Sequence, residues 1–479
     1  MTRSGDLRHD RAVVDGLIAA GRYQEAQRRL SSASGAQEQA LVAYLAQVEA
    51  RPASSVAEHN LAAFLGDQGL HAASEGAARR AFAKGGDAPE TWLVLGRALV
   101  NQYGFDAAEQ ALRGAIARRP TYGEALRELA QLIWMRTADA EAATAPVRAA
   151  LDQAPGDAGL KRLLGLVMEF AGADPREIWR VLAEGGPIQD PQLHLSAVGA
   201  ALGFDRDLAL RHALAAFAGA PDHPVIALKL AEVLMMRGDL ERAATVLADV
   251  RLPPEDQNLL AHRATLERLA GAPTGAGLND YDAFVQGAPI DAPPGWSDLA
   301  AYLRDLATAL RAMHRLRTHP IGQSLRHGSQ TPVNLTQVDD PAVQAFFTAV
   351  DGPIRRYMAR LGAGTDPLRR RNTGDYRIIG CWSVLLSPGG FHASHVHPQG
   401  WLSSACHIEL PEATQAGGRE GWLALGSPPG AYAVPTPPER HERPEPGRLV
   451  LFPSYMWHQT LPFAGPDDRL TIAFDLIPT

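Results

Sequence analysis

The sequence has 479 residues, of which 46% are hydrophobic and 21% charged, with a mean hydropathy of −0.15 and a formal net charge of −7. These values indicate a soluble globular protein of two or three domains and give no support for nucleic-acid binding. No apolar run reaches the ~18 residues of a membrane span, and the amino terminus lacks the core of a signal peptide. Because two cysteines, Cys381 and Cys406, cannot form a disulfide framework, we expect a reduced, cytoplasmic compartment.

The first half of the chain, from about residue 10 to residue 270, is rich in alanine and leucine and has helical periodicity. Segment 88–120 reads as two amphipathic helices separated by a short break, segment 223–250 repeats this unit, and Ala19 to Leu30 forms a weaker one. Prolines that open or precede such helices recur at intervals in the thirties, at Pro52, Pro89, Pro120, Pro155, Pro191 and Pro224. We predict a helical repeat domain of six to seven units over residues 1–270, which resembles the tetratricopeptide repeat.

The resemblance to tetratricopeptide repeats implies a superhelical stack with a concave groove. We expect this groove to capture a peptide or protein. The alternative is that the repeats only mediate formation of a homodimer or support the domain that follows, since a fold does not determine a function.

The second half of the chain is predicted to be a linker over 271–297 followed by a domain over 298–479. The linker is rich in Gly, Pro and Asp, and two amphipathic helices are expected at 298–314 and 340–362. After Asp375 the sequence changes to short β-rich runs between Gly/Pro turns: DYRIIGCWSVLLS, WLSSACHIELP, GWLALGS, GRLVLFPS and RLTIAFDLIP. The predicted fold class is therefore α+β and multidomain, with an all-α solenoid before a β-barrel that carries flanking helices.

Three histidines, His392, His395 and His397, lie within six residues. His395 and His397 are two apart, a spacing that would point both rings to one face of a strand. His458 comes from a distant strand-like segment, and Arg469 follows it by eleven residues. This arrangement is typical of a double-stranded β-helix that holds a non-haem iron and leaves positions open for a co-substrate and oxygen.

Four runs resemble, in the same order, the 2-oxoglutarate/Fe(II)-dependent oxygenases, specifically the family often fused to tetratricopeptide repeats. These runs are QSLRHGSQT, WSVLLSPGGFHASHVHPQGWLSS, GRLVLFPSYMWHQTLPF and RLTIAFD. The resemblance implies that His395 and His458 bind the metal. Most of these enzymes carry Asp or Glu two residues after the first histidine, where this chain has His397. We expect His397 to be the third ligand; the alternative is a two-histidine site completed by water. His392 is expected in the substrate pocket or behind a metal ligand rather than on the metal.

The same resemblance implies that Arg469 grips the distal carboxylate of 2-oxoglutarate, assisted by the hydroxyl of Thr471 on the same strand face. One departure stands out. Where relatives resemble SGxYY, this chain has Ser-Ser-Ala-Cys-His over 403–407, so an aromatic hydroxyl that often helps hold the co-substrate is missing. Either His407 replaces it or the co-substrate binds more weakly.

The resulting hypothesis is a dioxygenase that uses Fe(II), 2-oxoglutarate and O2 to hydroxylate a side chain of a peptide or protein held by the repeats. Two alternatives remain at this point. One is a scaffold in which the repeats bind partners and the barrel is degenerate. The other is a three-histidine metal dioxygenase that needs no 2-oxoglutarate.

Three tryptophans are assigned no role beyond shaping the pocket: Trp382, Trp401 and Trp457.

Overall fold

The computed structural model describes residues 4–30, 35–273 and 275–479. The chain divides into two compact units. The first comprises the chain up to Trp134 together with Asp139–Val167, and the second comprises Met135–Ala138 together with Met168–Thr479. The boundary between the units lies inside the helical region. The domain limits at residues 270 and 297 therefore remain predictions.

The described residues up to Leu269 form α-helices joined by short turns. Their bounds are α1 (Ser4–Ala19), α2 (Tyr23–Leu30), α3 (Ala36–Ala50), α4 (Ser55–Asp67), α5 (His71–Ala83), α6 (Pro89–Asn101), α7 (Phe105–Arg118), α8 (Gly123–Thr137), α9 (Ala140–Gln153), α10 (Ala158–Phe170), α11 (Pro175–Ala183), α12 (Pro191–Leu202), α13 (Arg206–Gly219), α14 (Pro224–Met236), α15 (Leu240–Asp249) and α16 (Gln257–Leu269).

Local sequence explains where these helices start and how closely they pack. Pro89, Pro191 and Pro224 occupy the first turn, where a missing N–H costs nothing. An aspartate caps several other helices by accepting a backbone N–H, as Asp139 does for α9. A Cβ on Gly96 would lie 2.8 Å from the Leu112 side chain, so the glycine lets α6 approach α7. These two helices are the unit predicted at 88–120.

The rest of the chain forms a sheet with two long helices and one short helix. Their bounds are α17 (Tyr281–Phe284), β1 (Gln286–Pro289), α18 (Leu299–Met313), β2 (Leu325–Gln330), α19 (Pro341–Leu361), β3 (Tyr376–His395), β4 (Leu402–Glu409), β5 (Leu423–Leu425), β6 (Arg440–Glu442), β7 (Arg448–Pro453), β8 (His458–Thr460) and β9 (Arg469–Pro478). Both helices expected between 298 and 362 are present. The segment expected to be an extended connector contains α17, whose Tyr281 and Phe284 are buried, and β1, which pairs with β7.

All strand pairs are antiparallel, in the order β1-β7-β4-β9-β3-β8-β5-β6, with β2 also on β3. The 20-residue strand β3 joins two groups of strands. Its residues up to Leu386 pair with β9, whereas His392 and His395 pair with β8. The predicted fold class is confirmed: helical repeats precede an antiparallel, barrel-like sheet domain with flanking helices.

Strand β9 shows how the sheet separates a core from a cavity. Its even-numbered side chains, from Leu470 to Leu476, join a core with α18 and α19, where the Phe346 and Phe474 rings lie 6.0 Å apart. Its odd-numbered residues, from Arg469 to Asp475, line a cavity on the other face. The period-two pattern of the sequence therefore assigns opposite environments to neighbouring residues.

Among the described residues, no helix combines the length and the hydropathy that a membrane crossing requires.

Candidate metal centre

His395 and His458 face each other across the β3–β8 pair. They are direct partners in the strand register, and their ring centroids lie 4.1 Å apart. Residues opposite each other on antiparallel strands hold their Cβ atoms close, so this register brings two distant parts of the sequence together. The structure thus places the two predicted histidines side by side.

His397 joins them from a loop. Its Nε2 lies 3.1 Å from Nε2 of His395, and its ring centroid lies 5.0 Å from that of His458. The expectation that strand alternation aligns His395 and His397 is wrong, because β3 ends at His395. Instead, the backbone N–H of His397 donates to the Ser454 carbonyl at 3.0 Å, which turns the chain back over the cavity.

Backbone acceptors fix the tautomers of two of these rings. Nδ1 of His395 lies 2.8 Å from the Ala393 carbonyl oxygen, and Nδ1 of His458 lies 3.0 Å from that of Met456. A carbonyl oxygen only accepts, so each Nδ1 carries the proton and each Nε2 keeps a free lone pair. Burial, together with the neighbouring histidines, holds the pKa of His395 and of His458 well below the ordinary 6.5. Both rings are neutral, as metal ligands must be.

The nitrogen atoms of the three histidines fit a divalent transition metal. One ligand atom from each residue lies within 4.8 Å of the others, and within the described part of the chain no other group of three His, Cys, Asp or Glu residues meets this condition. Two imidazole nitrogens each about 2.1 Å from a metal, at right angles, lie about 3 Å apart. The 3.1 Å between His395 and His397 matches this value. Three nitrogen ligands on one side leave the opposite positions open.

Asp475 contacts the centre indirectly and was not identified from the sequence. Its Oδ1 lies 2.6 Å from Nδ1 of His397 and accepts the Ser403 hydroxyl at 2.7 Å. Asp475 lies on β9, an even number of residues after Arg469 and Thr471. The same period of two that relates those two residues could therefore have identified it.

Arg469 is a buried cation that has no carboxylate partner among the described residues. Its side chain is only 2% exposed, its Nη2 lies 3.2 Å from Nδ1 of His407, and its Nε has no hydrogen-bond partner among the described residues. Burial lowers the pKa of Arg469 from 12.5 to about 10. A buried charge without an opposite charge is unfavourable unless a ligand supplies one. An anionic ligand in the cavity would supply the opposite charge.

Thr471 and His407 are the other two residues predicted for the co-substrate site. Thr471 lines the same cavity, and its hydroxyl lies 3.5 Å from the Val384 carbonyl oxygen. Burial, with Arg469 and then Arg448 nearby, holds the pKa of His407 well below 6.5. The neutral His407 ring therefore accepts from Arg469 through Nδ1, while its Nε2 has no partner in the described residues. His407 therefore contacts Arg469, at the position where the family resemblance led us to expect an aromatic hydroxyl.

The three histidines and Arg469 line one cavity of about 470 Å³. Trp382 lines it as well and stacks on His397, with 5.8 Å between ring centroids. The other two tryptophans point away: Trp401 donates to the Leu368 carbonyl, and Trp457 donates to Thr265 Oγ1 at 2.9 Å. A metal and an anion in this cavity would thus lie beside an aromatic wall.

His392 lies at this cavity but outside the histidine triplet. A register shift separates it from His395, and its Nδ1 lies 2.9 Å from Ser324 Oγ. The same hydroxyl lies 3.1 Å from Nε2 of His395. Ser324, which sequence reasoning did not single out, comes from the QSLRHGSQT run. Its separation of 71 residues from His395 left no local signal.

Residues 380–475 match the model of the family described as "Putative 2OG-Fe(II) oxygenase". No curated protein sequence matches the chain.

Similar solved structures fall into two groups. The first group includes a thermophilic TPR protein of Thermus thermophilus, which is 20% identical; the match covers 38% of this chain and 99% of that chain, with a TM-score of 0.29. The second group includes a Pseudomonas putida prolyl-4-hydroxylase, which is 16% identical; the match covers 42% of this chain and 96% of that chain, with a TM-score of 0.27. An oxidoreductase of the 2OG-Fe(II) oxygenase family from Burkholderia pseudomallei has 15% identity, coverage of 42% and 90%, and a TM-score of 0.25.

Proposed function

We propose, on the premise that this chain carries a 2OG-Fe(II) oxygenase domain behind its helical repeats, that it is an Fe(II)- and 2-oxoglutarate-dependent dioxygenase. Its reaction would hydroxylate a side chain of a peptide or protein held by the repeats. His395, His397 and His458 would hold the iron, and Arg469 and Thr471 would hold the distal carboxylate of 2-oxoglutarate.

One observation carries the proposal: a metal-type histidine triplet lines the same cavity as a buried arginine that has no acidic partner among the described residues. A metal site alone would suit many reactions. 2-Oxoglutarate combines a metal-chelating keto acid with a second carboxylate, and this cavity offers complementary groups for both. Because no acidic group of the described residues balances its charge, Arg469 favours this co-substrate over a dioxygenase that needs none.

The chain's own residues bind and orient the reactants. The planar guanidinium of Arg469 donates to the distal carboxylate in a fixed direction, and His407 accepts from Nη2 and so limits its rotation. The carbonyls of Ala393 and Met456 hold the Nδ1 protons of two histidines and direct their Nε2 atoms inward. Bound iron and 2-oxoglutarate supply the oxidising power, and succinate and CO2 are the co-products of oxygen insertion.

The substrate would enter beside Phe170 and Arg326, which also line the cavity. Phe170 is the last residue of α10, and the Arg326 guanidinium lies 4.5 Å from the centre of its ring. Burial lowers the pKa of Arg326 below 12.5, with Glu169 opposing the change. A residue from the helical part thus lies in the same cavity as the metal-type histidines. This placement supports capture of a polypeptide that reaches the cavity along the helices.

The first test is an anaerobic titration of the purified protein with Fe(II) and 2-oxoglutarate, following the visible charge-transfer band of the iron–keto acid chelate. We expect a band in the wild type and none in His397→Ala. A matched control is His441→Ala, because His441 is a histidine of the same domain that contacts Arg419 rather than the triplet.

The outcomes separate the candidate functions. A band that survives in His397→Ala would show that His397 is not a ligand and that water completes a two-histidine site. Iron binding without any band would favour a three-histidine dioxygenase that uses no 2-oxoglutarate. No iron binding at all would leave the scaffold function.

A further inference from the structure

The triplet lacks the negative charge that a carboxylate ligand would bring to the metal. The common facial triad combines two histidines with one carboxylate, whereas three neutral imidazoles carry no charge. The anionic group in contact with the triplet is Asp475, which lies against Nδ1 of His397. We propose that Asp475 is a positioning residue that delivers the missing negative charge to the metal through the His397 ring. This inference rests on the proposed metal site.

The geometry makes Asp475 a dedicated partner of His397. The Oδ1–Nδ1 distance is 2.6 Å, and the two side chains are only 10% and 12% exposed. Among the described residues, no arginine or lysine forms an ion pair with Asp475, whose ion-pair partner is His397. A carboxylate removed from water needs a strong donor, and this one has the His397 N–H. The contact is therefore a charge-assisted hydrogen bond inside the protein.

Neighbouring residues hold the carboxylate in place. Ser403 is the register partner of Asp475 on β4 and donates its hydroxyl to Oδ1 at 2.7 Å. The Ser403 hydroxyl also lies 2.9 Å from that of Ser454. Ser454 in turn accepts the backbone N–H of His397 through its carbonyl. A Cβ on Gly400 would lie 2.2 Å from Ser454 Oγ, so the turn after His397 must pass close by. The loop that presents His397 and the strand that presents Asp475 are thus tied together.

This arrangement fixes the tautomer of His397 and places a negative charge behind its ring. With the proton of Nδ1 held by the carboxylate, Nε2 keeps its lone pair directed at the other two histidines. A carboxylate acceptor also raises the electron density that the ring donates, and loss of such a partner typically weakens metal binding about 10–100-fold. The structure replaces a direct carboxylate ligand by a carboxylate one ring away.

The affinity of the protein for a metal ion tests the role of Asp475 without requiring catalytic turnover. We would titrate the full-length protein anaerobically with Co(II), whose visible spectrum reports coordination, in the wild type and in Asp475→Asn. We expect about 10–100-fold weaker binding in the variant. Asp291→Asn is the matched control, because Asp291 pairs with the exposed Arg356 away from the triplet, and its Co(II) affinity should equal that of the wild type.

Repeating the Asp475→Asn substitution in a second variant, His397→Asp, distinguishes an effect of the Asp475 charge from an effect of its packing. In His397→Asp the carboxylate binds the metal directly, so Asp475 has no ring to act through. Adding Asp475→Asn to His397→Asp should leave the Co(II) affinity unchanged or raise it, because two nearby carboxylates repel each other. An equal loss of affinity in both backgrounds, or no loss in the wild-type background, overturns the proposal.

Ser403→Ala keeps the test decisive if Asp475→Asn does not fold. It removes one donor to Asp475 and should weaken Co(II) binding several-fold; an unchanged affinity overturns the proposal. If the proposed function were wrong and the role of Asp475 right, the measurements would differ from both of these outcomes. Co(II) binding would still depend on Asp475, while Fe(II) and 2-oxoglutarate together would give no chelate band.

Discussion

Arg469→Met should make the metal-free protein more stable while abolishing tight binding of 2-oxoglutarate. The arginine is 2% exposed and has no acidic partner among the described residues. Burial lowers its pKa from 12.5 to about 10, which at about 1.4 kcal/mol per pH unit corresponds to a penalty of roughly 3 kcal/mol for keeping the charge in the fold. Methionine of similar length removes this penalty, as hydrophobic replacements of buried charges often do.

The two effects have opposite signs and different sizes. His407 loses a donor at 3.2 Å, which costs about 1–2 kcal/mol, so the net gain in the free energy of unfolding is about 1–2 kcal/mol. Binding loses two hydrogen bonds between charged groups, each of about 1.5 kcal/mol or more, which corresponds to at least ~100-fold weaker binding of 2-oxoglutarate. Urea unfolding of the metal-free protein and the anaerobic chelate titration measure the two quantities.

Arg440→Met is the matched control. Arg440 lies in the same domain, is 37% exposed, and has its Nη2 2.8 Å from Oε1 of the buried Glu442. Its removal should lower stability and leave the affinity for 2-oxoglutarate unchanged. If Arg469→Met destabilised the metal-free protein and left that affinity intact, Arg469 would be a structural residue and the argument from its missing partner would be refuted.

Two further changes probe neighbouring groups. His407→Phe should weaken 2-oxoglutarate binding about tenfold in the chelate titration, because it removes the acceptor of an Arg469 N–H; His407→Tyr should lose less, and equal dissociation constants in all three proteins would contradict the contact. Burial, aided by Arg311, lowers the pKa of His314 to about 4, so the folded ring stays neutral where the unfolded ring, titrating near pH 6.5, binds a proton. The contribution of His314 to the free energy of unfolding is therefore fully present above pH 6.5. It is lost as the pH falls toward 4, by up to about 1.4 kcal/mol per pH unit. His314→Gln should therefore flatten the pH dependence of urea unfolding of the metal-free protein in that range, and parallel curves would count against it.

The sequence predicted β3, β4, β5 and β7–β9 of the domain because strands whose side chains face two different environments alternate in polarity. Alternation in β9 follows from a core on one side and a cavity on the other, and this pattern is visible without a structure. The histidines were likewise marked by local spacing and by resemblance. Three short strands were missed: β1, β2 and β6. In β1, Gln286–Pro289 has little intrinsic strand preference and pairs with β7 only in the folded protein.

Other parts of the site depend on contacts that no local pattern records. His397 was expected to follow the alternation of a strand, yet the strand ends two residues earlier and the convergence depends on Ser454 and Asp475. Ser324 and Phe170 reach the cavity from segments far away in the sequence. Such long-range contacts are set by packing of the whole domain, which periodicity does not describe.

The alternation of β9 also limits how this protein can evolve. The odd-numbered residues from Arg469 to Asp475 face the cavity, while Leu470, Ile472 and Phe474 fill the core. Inserting or deleting one residue between Arg469 and Asp475 would turn the residues on one side of the change to the opposite face, so the arginine and the aspartate would no longer face the same cavity. Point substitutions can adjust the site one residue at a time, whereas a length change in β9 would disrupt core packing together with either the Arg469 end or the Asp475 end of the site in a single event. Variation in length among descendants of this sequence should therefore accumulate in the turns around β9 and not within it.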